Sequence, residues 1–210
     1  MTKRLPLDLH LSLLERRLQG PKPGLDSQLK MVPDHRRHDK TFEEVGKTCL
    51  RAAVLVLIYP RQSRPHLVLT RRTSHVAHHQ AQISFPGGQM DEGESAIRTA
   101  LREAAEELNI APEEVRVLGE LTPLYVPPSN YCIYPVVAVA ESRPDFRPAP
   151  REVAEVIEVP LSHLQDARNI KRENWPLRGM NVMVPFYFFE GHKIWGATAM
   201  VLAEFLDLIG

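Results

Sequence analysis

The sequence has little of what marks several large classes of protein. Its 26 basic and 26 acidic side chains cancel, so a general nucleic-acid-binding role has little support. Only two cysteines are present, Cys49 and Cys132, without CxxC spacing. Their scarcity argues against a disulfide framework or a zinc site and favours a reducing, cytoplasmic location. No run of about 18 apolar residues occurs, so no membrane span is expected.

The amino-terminal stretch places basic residues before a leucine-rich run. Asp8 and His10 interrupt that run and no small-residue cleavage site follows, so we do not predict a signal peptide. Four leucines recur instead at helical spacing: Leu7, Leu11, Leu14 and Leu18. They predict an amphipathic helix that packs on the rest of the protein, with a membrane-surface or partner-binding helix as the alternative.

Residues 20–48 are rich in proline, glycine and charge, which is typical of a linker or an extended arm. We therefore predict an N-terminal extension over 1–48 and a main domain over 49–210. In this domain strands are predicted at 51–60, 66–73, 82–88, 115–126, 131–140, 152–159 and in a hairpin over 182–196. Helices are predicted at 95–109, 160–166 and 197–210, with 166–181 irregular. This order indicates an α/β fold, a mixed sheet covered on both faces.

The central helix gathers three acids on one face at its carboxyl end: Glu103, Glu106 and Glu107. The partial negative charge of a helix end disfavours acids there, and like charges three or four residues apart repel one another. Folding alone does not ask for this arrangement. A bound cation is the first explanation, and a solvated acidic surface is the alternative.

Carboxylate oxygens suit Mg²⁺ or Mn²⁺ rather than zinc. At a pyrophosphate such an ion neutralises developing charge, orients the chain and lowers the pKa of a bound water. A neighbouring glutamate can take the proton of that water. Gly87 and Gly88 lack a Cβ, so the backbone before the helix can approach an ion or a phosphate closely.

These residues occur at fixed spacings. Gly88 is followed after five residues by Glu94, and after seven more by Arg-Glu-Ala-Ala-Glu-Glu-Leu-Asn-Ile at 102–110. The pattern spans 23 positions and closely resembles the Nudix box, departing only at Asn109, where the box has glycine. Asparagine tolerates the same backbone. The resemblance implies a Nudix fold, an α/β/α sandwich around a mixed sheet, and metal-dependent hydrolysis of a nucleoside diphosphate linked to another group.

The resemblance also assigns a metal site. In that family the residues matching Glu103 and Glu107 are principal metal ligands, and the one matching Glu106 ligates metal or helps to activate water. The carbonyl matching Gly87 can add a ligand. These four residues are the predicted site for Mg²⁺ or Mn²⁺.

The predicted catalytic residues are Glu106, Arg102 and Glu152. In the family the pair matching Glu94 and Arg102 is largely structural, and the arginine fork can clamp the Glu94 carboxylate to hold the loop against the helix. Glu152 matches an acid in one Nudix subfamily and is a candidate for an extra metal ligand or base; the alternative is a simple strand-end glutamate.

A second stretch, residues 68–88, resembles the motif upstream of the box in coenzyme A pyrophosphatases. Seven residues match that motif: Leu69, Thr70, Arg72, Phe85, Pro86, Gly87 and Gly88. Thr73 replaces a serine, while Ala77 and Ala81 stand where the motif has arginine and glycine. The stretch "KIWGATAMVLAEFL" is similar to the terminal helix of the same subfamily. The resemblance implies a CoA-like nucleotide substrate, with these substrate-binding residues: Arg72, Arg71, Gly87 and Gly88.

The predicted reaction splits CoA or acyl-CoA into 3′,5′-ADP and 4′-phosphopantetheine or its acyl form. Ala77 and Ala81 keep open a Nudix hydrolase for another nucleotide, such as ADP-ribose. A non-catalytic nucleotide-binding scaffold is the other alternative, against which the intact acids argue. His78 and His79 are not expected to bind metal, because adjacent strand residues point apart. The aromatic run 186–189 is expected to be core, and the sequence leaves a homodimer open.

Overall fold

The computed structural model describes residues 8–36, 39–46, 48–73, 82–177 and 179–210. Its helices are α1 Asp8–Gln19, α2 Gly24–Gln28, α3 Phe42–Val45, α4 Ala96–Leu108, α5 Leu161–Gln165 and α6 Gly196–Ile209. Its strands are β1 Leu50–Arg61, β2 Arg64–Arg72, β3 Ile83–Ser84, β4 Gly87–Gln89, β5 Val115–Glu120, β6 Leu124–Val126, β7 Tyr131–Ala140, β8 Val153–Pro160, β9 Ile170–Leu177, β10 Met180–Phe189 and β11 His192–Trp195.

Two parallel strands, β1 and β7, form the centre of the main sheet, with Leu50 opposite Tyr131 and Ile58 opposite Val139. The far end of β1 pairs with β2 and its near end with β4, both antiparallel. Strand β8 pairs with β2, and β5 and β6 pair with β7. The predicted mixed sheet is therefore confirmed, and β9, β10 and β11 form a second, antiparallel sheet.

Strand β1 is buried on both faces, which explains why it is a continuous apolar run rather than an alternating one. Leu55 and Leu57 share one core cluster with the apolar side of α4. Val56 and Ile58 point the other way, into a cluster that includes residues of α1 and α6. Helices thus cover both faces of the sheet, as the predicted α/β/α sandwich requires.

Helix α1 packs on the domain as its leucine spacing predicts. Leu11, Leu14 and Leu18 are buried in the cluster that also holds α6, while Leu7 lies outside the described residues. Glu15 accepts a hydrogen bond from Arg116 of β5. Across the described ranges, no helix combines the length and the apolar character that crossing a bilayer demands.

The expectation of a linker or extended arm over residues 20–48 is wrong for the described part of that segment. It contains α2 and α3, and a buried cluster of hydrogen bonds joins it to α6 and to the loop before β6. Gln28 Nε2 donates to Glu204 Oε2 at 2.8 Å and to the Thr122 carbonyl at 3.1 Å, and Glu204 Oε1 accepts from the Thr122 N–H at 3.0 Å. Met31 is also buried. Proline and glycine here delimit short packed helices instead of preventing them.

The expectation of an irregular segment over 166–181 is also wrong, because β9 lies within it and pairs with β10. Its side chains are mostly exposed, so it lacks the apolar alternation by which a half-buried strand is recognised. The predicted hairpin is confirmed as β10 and β11. Of its aromatic run, Phe186, Tyr187 and Phe189 are buried, and Phe188 is partly exposed.

A disulfide joins Cys49 and Cys132, with their Cα atoms 5.7 Å apart, so the expectation that these cysteines stay reduced is not met. They are 83 positions apart in sequence. The parallel pairing of β1 with β7 sets Cys132 opposite Arg51, two residues from Cys49. Only this long-range pairing brings the thiols together, and spacing in the sequence does not reveal it. The predicted cytoplasmic location consequently loses its argument from cysteine.

We expect Cys49→Ala to lower the free energy of unfolding by about 2–4 kcal/mol in non-reducing buffer, since a cross-link over a long loop restricts the unfolded chain. Thermal unfolding of the wild type and the variant, with and without dithiothreitol, measures this. The two proteins should unfold alike once the bond is reduced. Equal stability without reductant would contradict a formed disulfide.

Candidate active site

Helix α4 begins and ends where its sequence predicts. The Ser95 Oγ accepts from the Arg98 N–H at 3.3 Å. Asn109 lies in the left-handed region, with φ 59°, and its N–H donates to the Ala105 carbonyl at 2.9 Å. Asparagine therefore takes a left-handed backbone of the kind that glycine readily adopts at a helix end, and the one departure from the Nudix-box pattern leaves the helix end intact.

The loop before β8 closes the carboxyl end of α4. The Arg147 N–H donates to the Leu108 carbonyl at 3.0 Å, and the Ala149 N–H donates to the Glu107 carbonyl at 2.9 Å. Both carbonyls belong to the last turn, where a helix leaves acceptors without partners. The loop thus satisfies these two carbonyls at the end of the helix.

Glu107 is the most buried of the three acids, with only 3% of its surface exposed. The Gly87 N–H donates to its carboxylate, yet its Oε2 is buried without a hydrogen-bond partner. The pKa of Glu107 is raised to about 8, mainly by burial; the nearby charges of Glu103 and Glu152 also raise it, while Arg72 and the Gly87 backbone lower it. An unpartnered buried carboxylate oxygen is costly, and a cation is the partner that its chemistry suits.

The two glycines before the box make room for these acids. A Cβ on Gly87 would lie 2.7 Å from the Val54 Cα, so the strand pairing with β1 requires glycine there. A Cβ on Gly88 would overlap the Glu103 carboxylate. Glu103 therefore lies directly against the backbone of β4, where burial raises its pKa and the neighbouring Arg102 guanidinium opposes the shift.

Arg102 clamps Glu94 as predicted. Its Nε donates to Glu94 Oε1 at 3.1 Å and its Nη2 to Oε2 at 3.0 Å. The Thr99 hydroxyl adds a 2.7 Å bond to the same carboxylate, and hydrogen bonding led by Arg102 lowers the pKa of Glu94 to about 2. The Arg102 Nη2 also donates to the Gln89 carbonyl at 3.1 Å. The fork thereby fastens the loop before α4 to the helix.

The same guanidinium reaches two of the predicted metal ligands. Its Nη1 donates to Glu103 Oε1 at 2.7 Å and to Glu106 Oε2 at 3.4 Å. In the part of the chain that the structure describes, no three acidic, imidazole or thiol side chains stand close enough together to enclose an ion. The donors still fit a hard divalent cation, because Glu107 is a buried carboxylate whose Oε2 has no partner and Glu103 is a half-buried one beside it.

The two arginines predicted to bind substrate lie on opposite faces of β2. Arg72 is on the α4 side, where its charge acts on Glu107, and its Nε is buried without a partner. Arg71 instead donates to Glu155 Oε2 at 2.8 Å, and His192 lies 3.4 Å from the other oxygen of that carboxylate. The structure thus brings Arg72 to the acids and leaves Arg71 away from them.

Ala77, Ala81, His78 and His79 lie outside the described residues.

Glu152 lies in the turn before β8 and joins the site electrostatically, since its charge raises the pKa of both Glu103 and Glu107. Thr73 holds this turn: its N–H donates to the Glu152 carbonyl at 3.0 Å and its hydroxyl to the Arg151 carbonyl at 2.9 Å. Sequence reasoning missed this contact. The available signal was the position of Thr73, where the upstream motif has a hydroxyl-bearing serine.

The chain is similar to a known family over much of its length. A model of the NUDIX domain matches residues 50–178, which is more than half of the chain. The chain belongs to the Nudix family. An uncharacterized Nudix hydrolase NudL of Photorhabdus laumondii is 36% identical over 188 residues, covering 89% of this chain and 90% of its own. A NudL of Yersinia pestis is 39% identical over 153 residues, covering 72% and 76% respectively.

Solved Nudix structures also align with the chain. The MutT protein of Methanosarcina mazei Go1 aligns with a TM-score of 0.49 at 15% identity, covering 75% of this chain and 92% of that one. The NUDIX domain of Shewanella oneidensis NrtR, in complex with ADP ribose, aligns with a TM-score of 0.43 at 24% identity, covering 55% and 75%. Nudix hydrolases are pyrophosphohydrolases that cleave phosphoanhydride bonds in nucleoside diphosphate derivatives and generally use divalent metal ions.

Glu107→Gln should stabilise this Nudix protein in metal-free buffer near pH 8. Glu107 ionises near pH 4.5 when unfolded and near pH 8 when folded, so wild-type stability falls as the pH rises between these values. One pKa unit corresponds to about 1.4 kcal/mol, and glutamine avoids the loss. Thermal unfolding with a chelator from pH 5 to pH 8 measures the widening gap.

The matched control for this measurement is Glu106→Gln, because Glu106 is 57% exposed and should show a much smaller gap. Adding Mg²⁺ or Mn²⁺ should raise the melting temperature of the wild type more than that of Glu107→Gln. A Glu107→Gln protein that is less stable than the wild type at pH 8 without metal would contradict the prediction that the buried Glu107 charge is destabilising.

Gly88→Ala and Gly87→Ala should fail in different ways. The Cβ at Gly88 meets the movable Glu103 carboxylate, so we expect a folded protein that Mn²⁺ no longer stabilises. The Cβ at Gly87 meets the backbone of Val54, and such overpacking should cost about 1–3 kcal/mol of stability. Melting temperatures with and without Mn²⁺ separate the two effects. A Gly88→Ala protein that responds to Mn²⁺ like the wild type would contradict the role of Glu103.

Proposed function

We propose that the protein hydrolyses the diphosphate of coenzyme A or acyl-CoA, giving 3′,5′-ADP and 4′-phosphopantetheine or its acyl form. The observation that carries this proposal is that Arg72 and Glu107, which interact electrostatically, each keep a buried polar atom without a partner. In a diphosphate bound with a divalent ion, the diphosphate would be the anionic partner of Arg72 and the ion would be the cationic partner of Glu107. The upstream resemblance around Arg72 supports CoA as the nucleotide.

Glu103, Glu107 and the Gly87 carbonyl would hold the ion, with Mg²⁺ or Mn²⁺ as the proposed metal. When bound, the ion supplies charge neutralisation and a water of lowered pKa. Glu106 is exposed and is our candidate for accepting the proton of the attacking water, with Glu152 as the alternative base. Hydrolysis adds that water across the phosphoanhydride, so that one P–O bond forms and the bridging P–O bond breaks.

Arg72 would contact the substrate phosphates with its planar fork, which matches the geometry of a phosphate better than a lysine ammonium does. Arg102 would act by position, because its guanidinium already bonds Glu94, Glu103 and Glu106. Gly87 and Gly88 would let the phosphates approach the backbone of β4. Substrate binding by Arg71 stays a prediction without structural support, since that side chain pairs with Glu155. A homodimer and a cytoplasmic location stay predictions as well.

Incubating the purified protein with CoA and either Mg²⁺ or Mn²⁺ should release 3′,5′-ADP, detected by chromatography and mass spectrometry. ADP-ribose and diadenosine tetraphosphate are the parallel substrates. Glu107→Gln should lose activity by orders of magnitude, which assigns the hydrolysis to this site. Cleavage of the other nucleotides without any cleavage of CoA would replace the proposed substrate and keep the phosphoanhydride chemistry.

Arg72→Ala should reduce kcat/KM for CoA by about ten- to a hundredfold, the loss expected when a charge-assisted hydrogen bond of about 1.5–3 kcal/mol is removed. Arg72→Lys should recover only part of it, because a point charge cannot bind bidentately. Arg71→Ala is the matched control on the opposite face and should retain most of the activity. If the two alanine variants lose activity equally, the assignment of Arg72 to the phosphates is wrong.

A further inference from the structure

Thr73 follows Arg72 at the end of β2 and is buried, with 8% of its surface exposed. Both of its polar groups cross to the turn before β8. Its hydroxyl donates to the Arg151 carbonyl at 2.9 Å and its N–H to the Glu152 carbonyl at 3.0 Å. Strand β2, which carries the proposed phosphate-binding residue Arg72, therefore also holds the turn that contains Glu152.

The other side of this turn is fixed to the acidic helix. The Ala149 N–H donates to the Glu107 carbonyl at 2.9 Å, and the Ala149 carbonyl in turn accepts from the N–H groups of Glu152 and Val153 at 3.0 and 2.9 Å. Residues 149–153, which we name the Glu152 turn, are thus bonded to α4 at one end and to β2 at the other. The backbone of Glu152 is thus held between the helix that carries the acids and the strand that carries Arg72.

We propose that Thr73 is a positioning residue, whose hydroxyl holds the Glu152 turn so that the Glu152 carboxylate is presented to the acidic end of α4. The inference rests on the proposed function, in which Glu152 is the alternative base. The proposed role depends on the hydroxyl of Thr73 and not on packing alone. Valine has nearly the shape of threonine and would fill the same space, but it cannot donate a hydrogen bond to the Arg151 carbonyl. The influence of the Glu152 charge on Glu103 and Glu107 agrees with this placement.

A double-mutant cycle tests whether Thr73 acts through Glu152. Thr73→Val should lower kcat by about tenfold or more, since small displacements of catalytic groups are costly, with little change in KM, and Thr73→Ser should restore it. In a Glu152→Gln background, Thr73→Val should cause no further loss. An equal loss in both backgrounds would mean that the hydroxyl is merely structural and would overturn the proposal.

Thr198→Val is the matched control for this cycle. Thr198 is also buried, and its hydroxyl donates to the Ile83 carbonyl at 2.9 Å, on an element not bonded to the Glu152 turn. Any fold-loss of kcat that Thr198→Val causes should be the same in the wild-type background and in the Glu152→Gln background. If Thr73→Val does not fold, Thr73→Ala removes the same hydroxyl without setting a methyl group against the Arg151 carbonyl.

Hydrogen exchange gives a measurement that needs no substrate. The amides of Glu152 and Val153 should exchange several-fold faster in Thr73→Val than in the wild type or in Thr73→Ser. Unchanged exchange would overturn the positioning role even if CoA is cleaved. Faster exchange in a protein that leaves CoA intact would instead overturn the proposed substrate alone, and the cycle would then be run on the nucleotide that is cleaved.

Discussion

A carboxylate deprived of water is the constraint around which the site is built. Glu107 lies in the last turn of α4, where the helix itself disfavours negative charge, and it is buried against the backbone of β4. Such a group needs compensation from its surroundings. The elements around it each bear on that charge: a glycine N–H, an arginine at the end of β2, and a loop that satisfies the helix carbonyls so that they do not compete for the same donors.

Arg102 complements this arrangement from the other side of the helix. It binds Glu94 and also donates to Glu103 and Glu106. The Arg102 guanidinium therefore orders the loop before α4 and offsets the repulsion between Glu103 and Glu106. The two arginines of the site thus divide the work. Arg102 is satisfied by the protein and acts as structure, whereas Arg72 keeps a buried nitrogen without a partner and is available for a ligand.

The segments outside the family match are part of the folded unit. Glu204 of α6 is fully buried and accepts hydrogen bonds from Gln28 and from the loop at Thr122. A buried acid with such partners is destabilising when it loses one of them, so α2 and α6 depend on each other. Together with α1 they cover the face of the main sheet opposite the box, which leaves the α4 face to the chemistry.

How much the sequence predicts depends on how local the cause of each feature is. The bounds of α4, the buried strand β1 and the Arg102–Glu94 pair follow from residues a few positions apart, and all three are confirmed. The helices within 20–48 and the exposed strand β9 escape prediction because packing against distant elements decides them. Arg71 and Arg72 lie on opposite faces because they are neighbours on a strand, and the upstream motif alone did not indicate which of them faces the acids.

The disulfide has a topological consequence. The covalent ring that it closes runs from Cys49 to Cys132 and encloses Arg72, both glycines of β4 and all of α4. Glu152 and α6 lie outside the ring. A single backbone cleavage inside the ring would leave one covalently connected molecule, whereas the same cleavage after reduction would release two separate chains. The oxidised protein therefore keeps the acids and Arg72 on one molecule even when the chain between them is cut.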